Sequence, residues 1–339
     1  MPRHAWLSVD GVLLLDKPPA ISSNDALQRV RRAYRARKAG HGGTLDPLAT
    51  GLLPLAFGHA TRFLHDLVNA DKQYTAIVRL GATSSTGDAE GQLTTTPGHQ
   101  PGVPDRQRVL AALATLTGPI MQRAPMYSAL KHQGRPLYEY ARAGITIDRP
   151  DRAVTIHSLE LIELGLDQLR VRVRCSKGTY IRVLAEDIGA ALGTGAWLEG
   201  LRRDAVGQFT LAQAHTLADI DAGRGERTDE QPHRGLPALE PVDTMVSSLP
   251  PACLDADAAR RFVQGQAIAM PDLAAGLGLS LEPLRESGIR HEVATVLLQD
   301  GYATTTRCRV YAADRFLGLG RFDGPMLNPE RVLPESPPS

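Results

Sequence analysis

At 339 residues the chain is long enough for more than one core, and a hydrophobic fraction of 42% is ordinary for a globular protein. A formal net charge of +1 excludes a globally basic nucleic-acid binder, so any such binding must come from local patches. Cys175, Cys253 and Cys308 are odd in number and lack C-x-x-C spacing, which argues against a disulfide framework or a zinc site and fits a reducing compartment.

Met1 to Asp10 has no apolar h-region, and no apolar run approaches the ~20 residues of a membrane span, so a cytoplasmic protein is expected. Gly11 to Asp16, closed by Lys17-Pro18-Pro19, reads as a buried strand. Ser22 and Ser23 offer a cap for a helix whose apolar face is Leu27, Val30 and Tyr34. Its other positions carry Arg29, Arg31, Arg32, Arg35, Arg37 and Lys38, either a solvated face or a grip on phosphates.

Then comes Gly40-His41-Gly42-Gly43-Thr44-Leu45-Asp46-Pro47-Leu48-Ala49-Thr50-Gly51-Leu52-Leu53. Glycines bring backbone close to a ligand, Pro47 restricts Asp46, and the leucines anchor the segment on a core. A carboxylate fixed in this way is a candidate nucleophile or general base, although the same residues would also make an ordinary turn.

Asp71 to Leu80 alternates as a strand, with Tyr74, Ala76, Val78 and Leu80 on one face, and leads into a polar loop at Gly81–Gly91. Arg106 to Thr117 has helical spacing and stops at Gly118. Gly118 to Lys131 reads as an irregular arm and Gly134 to Arg142 as a helix. Basic residues there alternate with Tyr127, Tyr138 and Tyr140, as looped RNA or a buried helix–loop element would require. Val154–Leu164 and Gln168–Cys175 read as strands, the second with Arg170, Arg172 and Arg174 on one face. A helix follows through Val183, Leu184, Ile188 and Leu192. Asp221 to Pro237 reads as a surface loop or linker, and Leu249-Pro250-Pro251 as a domain boundary. Beyond it we expect a helix at Asp255–Val263 and strands at Val293–Leu298, Ala303–Tyr311 and Phe316–Phe322.

Several separated blocks, in order, resemble the bacterial tRNA pseudouridine-55 synthases, the TruB family. They are Lys17-Pro18 with Ser22-Ser23, the Asp46 loop, Tyr74 after Lys72, Pro125-Met126-Tyr127-Ser128-Ala129-Leu130-Lys131 with Leu137-Tyr138-Glu139, Cys175 through Arg182, and Leu201-Arg202-Arg203. The resemblance spans roughly residues 11–210. It implies an α+β fold, a mixed and largely antiparallel sheet with flanking helices and a central RNA-binding cleft. It also implies a catalytic domain over 10–247 with an RNA-clasping arm at about 122–150, and a small β-rich PUA-like domain over 248–335. The stretch from Met270 to Ile289 departs from that module in its Pro/Gly interruptions.

The implied activity is isomerisation of a uridine to pseudouridine in the T-loop of tRNA. Asp46 would act on the nucleoside, Arg182 would pair with it, and Tyr74 would stack on the uracil and move a proton. Tyr180 and Leu201 would line the base pocket, His41 would wedge into the RNA stack, and Lys17 would contact substrate. Arg31, Arg35, Arg37, Lys38, Lys131 and Arg202 are candidates for the RNA backbone. No metal, cofactor, membrane or guide RNA is expected, and the protein is expected to act as a monomer. The alternative is a tRNA-binding folding chaperone of the same fold without chemistry; a glycosidase is a poor fit, because no second acid stands beside Asp46 in the sequence.

Overall fold

The apolar run at Gly11 becomes a strand, β1 (Gly11–Lys17), buried along nearly all its length because a neighbour lies on each side. The computed structural model describes residues 5–223, 228, 231–269, 306–324 and 326–334. Two compact units share them, Met1–Leu239 and Glu240–Ser339. No described helix is long and apolar enough to cross a membrane.

In the first unit, Ser22 caps α1 (Ser23–Ala33) by accepting the Asp25 amide at 3.0 Å. Leu27, Val30 and Tyr34 go inward, as the spacing predicts. The chain then makes β2 (Ala39–His41), β3 (Thr50–Phe57), α2 (Leu64–Asn69), β4 (Lys72–Leu80) and α3 (Arg106–Thr115). Next come β5 (Gly118–Arg123), α4 (Leu137–Arg142), β6 (Asp151–Gly165), β7 (Gln168–Cys175), α5 (Ile181–Leu192) and β8 (Ala196–Val206).

These strands build one ten-stranded sheet in the order His215–Thr216, β1, β3, β8, β4, β7, β6, β5, with β2 beside β3 and Phe209–Thr210 beside β8. Only two neighbouring pairs in it are parallel, His215–Thr216 with β1 and β3 with β8, so the sheet is mixed and largely antiparallel. The β3–β8 junction is short: Arg202 faces Thr50 and Arg203 faces Gly51. Gly51 is required there. It sits at φ +102°, and a Cβ on it would fall 2.3 Å from the Arg203 carbonyl oxygen. One core lies on either side of this junction. Leu13, Leu53 and Val30 belong to the first, Val78, Val171 and Leu184 to the second, and Tyr74 and Leu201 pack against both.

One sequence expectation changes, and two readings that the sequence leaves open are resolved. The arm begins later than its sequence suggests, because Gly118–Arg123 pairs along β6 as an edge strand; the chain leaves the sheet at Ala124 and rejoins it at Asp151. Arg170, Arg172 and Arg174 meet Glu163, Glu160 and Asp71 across exposed pairs, which is a solvated face. Residues 233–239 are fastened to the first core rather than forming a linker. The Pro237 carbonyl accepts the Tyr34 hydroxyl at 2.5 Å, His233 Nε2 lies 2.9 Å from the Tyr34 carbonyl, and Leu236 and Leu239 pack on the first core.

The second unit holds a five-stranded sheet in the order Pro251–Leu254, Arg307–Ala312, Arg315–Asp323, Met326–Val332, Ile268–Ala269. The helix Ala256–Val263, capped by Asp255, lays Ala258 and Phe262 onto it. Arg307–Ala312 and Arg315–Asp323 answer two of the expected strands. Val293–Leu298 and the Met270–Ile289 stretch lie outside the described residues.

Candidate active site

Asp46 sits in the loop between β2 and β3, and the loop is held from three directions. Ser23, at the start of α1, spans it from one side: its hydroxyl donates to the Leu45 carbonyl at 2.9 Å and accepts the Leu45 amide at 2.7 Å. Beneath, Lys17 is fully buried and donates Nζ to the carbonyls of Pro18, Ile21 and, at 3.3 Å, Pro47. Burial pulls the Lys17 ammonium down to about 8, against the pull of Asp46. From β8, Arg203 donates Nε to the Leu52 carbonyl at 2.8 Å and Nη2 to the Gly43 carbonyl at 3.1 Å. Gly43, at φ +107°, turns that carbonyl toward it.

The carboxylate of Asp46 meets the first turn of α5. Arg182 Nε lies 3.1 Å from Asp46 Oδ2, with the guanidinium side chain 5% exposed and the carboxylate side chain 36% exposed. The rest of the guanidinium is fully engaged. Nη1 faces Asp88 Oδ2 at 3.4 Å and donates to the Thr86 carbonyl at 3.1 Å, and Nη2 donates to the Tyr127 carbonyl at 2.7 Å. One cation therefore ties the Asp46 loop, the Thr86–Asp88 turn and the root of the arm together. Burial raises the Asp46 carboxyl, Arg182 opposes that rise, Asp88 adds to it and Lys17 lowers it again. Glu90, at the exposed edge, is raised too, by its partial burial and by the charges of Asp88 and Asp46.

Tyr74 projects from β4, hydrogen-bonded to the buried Arg203, and its phenol is raised by burial. Guanidinium groups only donate, so this bond occupies a lone pair of the phenol oxygen and leaves the O–H to point elsewhere. His41, on β2, keeps Nδ1 buried without a partner, and burial with the nearby Arg203 charge lowers its imidazolium. The result is a partly exposed carboxylate set on a buried guanidinium, with the Tyr74 phenol within reach of its charge. That suits acid–base or nucleophilic work on a flat, polar ring.

Family models match in two adjoining pieces. The TruB family pseudouridylate synthase N-terminal domain covers residues 31–181, and the tRNA pseudouridylate synthase B C-terminal domain covers 182–247. The tRNA pseudouridine synthase B of Cupriavidus taiwanensis is 52% identical over 338 residues, 98% of this chain and 96% of its own. That of Burkholderia mallei is 48% identical over 333 residues, with 98% and 96% covered. The chain belongs to the TruB family.

Among solved structures, a chain in the crystal structure of a Cbf5-Nop10-Gar1 complex superposes with a TM-score of 0.66 at 25% identity, covering 95% of this chain and 84% of that one. Of the TruB blocks read from the sequence, Arg182 on α5 meets Asp46 directly, the Asp46 charge reaches Tyr74 on β4, His41 on β2 feels the Arg203 charge, and Leu201 on β8 packs with Tyr74 against both cores. Tyr180, at the cap of α5, has its backbone fixed by the buried Gln122, which accepts its amide at 3.0 Å.

The backbone candidates divide. Arg37, Lys38 and Lys131 are exposed. Arg202 turns to Asp16, bonding both carboxylate oxygens at 2.7 and 3.2 Å. Arg31 closes the end of α1 by donating to the Ala36 and Arg37 carbonyls, and Arg35 donates to the Ala5 carbonyl. Lys17 is buried away from solvent and braces the loop through the Pro47 carbonyl.

Sequence reasoning passed over Asp88, Arg203, Gln122 and the clamping role of Ser23. Asp88 lay in a turn-rich stretch with no anchoring run, and Arg203 in a basic pair whose inward member only the strand's pleat decides. Their signal was positional and needed the sheet.

Proposed function

We propose that this protein isomerises uridine to pseudouridine at position 55, in the T-loop of tRNA, as a cofactor-free intramolecular transferase. The observation that carries this reading is the half-open Asp46 carboxylate set on the buried Arg182. The N1–C1′ glycosidic bond breaks, the uracil turns within the site, and C5 joins C1′ while the C5 proton leaves and N1 gains one, so atoms balance without an oxidant or reductant. Asp46, kept ionised by Arg182, attacks or deprotonates the nucleoside. Tyr74 stacks on the ring and moves a proton; Tyr180 and Leu201 wall the base; His41, held neutral, fills the gap in the RNA stack. Everting a base costs a few kcal/mol, and each stacked aromatic returns ~1–3 kcal/mol, so these rings balance the eversion.

The arm from Ala124 to Arg149 supports an RNA-clasping role. Arg135 and Arg142 lie over Tyr140 and Tyr138 at 5.1 and 5.3 Å, a pairing of cation and aromatic face that unpaired RNA fits. We read residues 10–247 as the catalytic part, in keeping with the family match that ends at 247. Residues 248–335 are read as a PUA-like module, in keeping with the five-stranded sheet. The deciding experiment is incubation with an unmodified tRNA transcript followed by mapping of pseudouridine: formation at the T-loop uridine is expected, and its absence with tRNA bound would favour the chaperone alternative.

A further inference from the structure

Trp6 leaves 45% of its surface exposed, yet the segment that carries it is fastened. The Leu7 amide donates to the Arg35 carbonyl at 2.6 Å, the Arg37 amide to the Leu7 carbonyl at 2.8 Å, and Arg35 Nε to the Ala5 carbonyl at 3.1 Å. The guanidinium carbon of Arg31 lies 4.6 Å from the centre of the indole ring, and its nitrogens are fixed on the Ala36 and Arg37 carbonyls. One face of the indole is therefore covered by an immobilised cation. A rigid aromatic side chain loses little conformational freedom when a second flat group stacks on it.

The surroundings select the class of that group. Residues 26–45 contain six cations, Arg29, Arg31, Arg32, Arg35, Arg37 and Lys38, and no Asp or Glu. Arg32, Arg37 and Lys38 are exposed. The acids on adjoining elements are engaged, Asp10 by the His59 amide at 2.5 Å and Asp221 by Arg29. A stacking face beside the exposed Arg32, Arg37 and Lys38 fits a base with its flanking phosphates.

We propose that Trp6 is a stacking platform for an unpaired base of the RNA substrate, with Arg32, Arg37 and Lys38 on neighbouring phosphates. This rests on the reading above that the chain acts on RNA. The platform stands at the far end of α1 from Ser23, the residue that clamps the Asp46 loop; α1 has eleven residues, and at 1.5 Å per residue its ends lie ~15 Å apart. The base it takes is therefore not the one isomerised, and its contribution is to binding.

The sequence holds two tryptophans, Trp6 and Trp197, so Trp197→Phe leaves Trp6 as the sole reporter. Titrating that full-length variant with an unmodified tRNA transcript should quench its emission with the same midpoint as filter-measured binding. Trp6→Ala should weaken tRNA binding about five- to tenfold, with the loss falling on KM rather than kcat. The slope of log affinity against log salt should stay unchanged, because stacking releases no counterions. Trp6→Phe should recover most of the affinity, which separates lost stacking from lost folding. Unchanged emission together with full affinity in Trp6→Ala, while pseudouridine still forms, overturns the platform and leaves the enzymatic reading standing. An unsubstituted chain that neither binds nor modifies tRNA sinks both.

Discussion

Arg182 Nε stands 3.1 Å from Asp46 Oδ2 while Nη1 of the same guanidinium stands 3.4 Å from Asp88 Oδ2, so Asp46 shares its counter-ion with a buried acid. Asp88 raises the Asp46 carboxyl while Arg182 lowers it, so on the proposed reading the charge state of Asp46 is the property on which activity should turn.

Asp46→Asn should abolish pseudouridine formation while tRNA affinity stays within about tenfold, because phosphate contacts supply much of the binding. Mapping of pseudouridine and filter binding on the same preparation check this; measurable turnover would reject Asp46 as the reacting acid.

The acid limb of the pH–rate profile should lie above the 3.8 of an ordinary aspartate, since burial and the Asp88 charge both raise the Asp46 carboxyl. The working form is the anion, so activity falls as pH drops through that raised value. Asp88→Asn removes a like charge and releases Arg182 to Asp46, both of which lower the Asp46 carboxyl; the acid limb should move to lower pH. A limb that stays in place would mean that another group sets it.

Arg203→Met should leave the Leu52 and Gly43 carbonyls without donors at a cost of ~1–3 kcal/mol each, and free the Tyr74 phenol. A lower thermal midpoint and a fall in kcat are expected together. Wild-type turnover in Arg203→Met would show that the loop holds its shape unaided.

Gly51→Ala would put a methyl carbon 2.3 Å from the Arg203 carbonyl oxygen at a φ of +102°. Overpacking of this kind costs ~1–3 kcal/mol, and thermal unfolding should record it in the unit that contains the sheet. Pseudouridine formation should fall with it, because the same junction aligns Tyr74 against the Asp46 loop.

Arg37→Gln with Lys38→Gln should flatten the salt dependence of tRNA binding by roughly 0.7–0.9 in slope for each phosphate no longer neutralised. Arg31→Gln behaves differently. It removes donors to the Ala36 and Arg37 carbonyls, so stability drops as well as affinity. Salt titrations and melting curves on the two variants distinguish these outcomes.

Local pattern carried the first unit far. Alternation at Tyr74, Ala76 and Val78 marked β4, and the Leu27, Val30 and Tyr34 spacing marked the buried face of α1. The Asp46 loop was legible because glycine, proline and leucine each constrain backbone in their own way. What pattern could not supply was direction across the sheet. Arg202 and Arg203 are neighbours in sequence, yet one meets Asp16 at the surface and the other is buried under the glycine loop. Gly118–Arg123 has an exposed, proline-bearing sequence that reads as irregular, and only its partner β6 makes it a strand. Lys17 reads as a surface cation until the three carbonyls it satisfies are in place.

The two-residue parallel seam at Thr50–Gly51 and Arg202–Arg203 joins two cores: Asp46 follows Leu45 of one, Arg182 follows Ile181 of the other, and Tyr74 and Leu201 pack against both. Neither core alone carries the Asp46–Arg182 pair, so on the proposed reading a chain that lacks either core should form no pseudouridine.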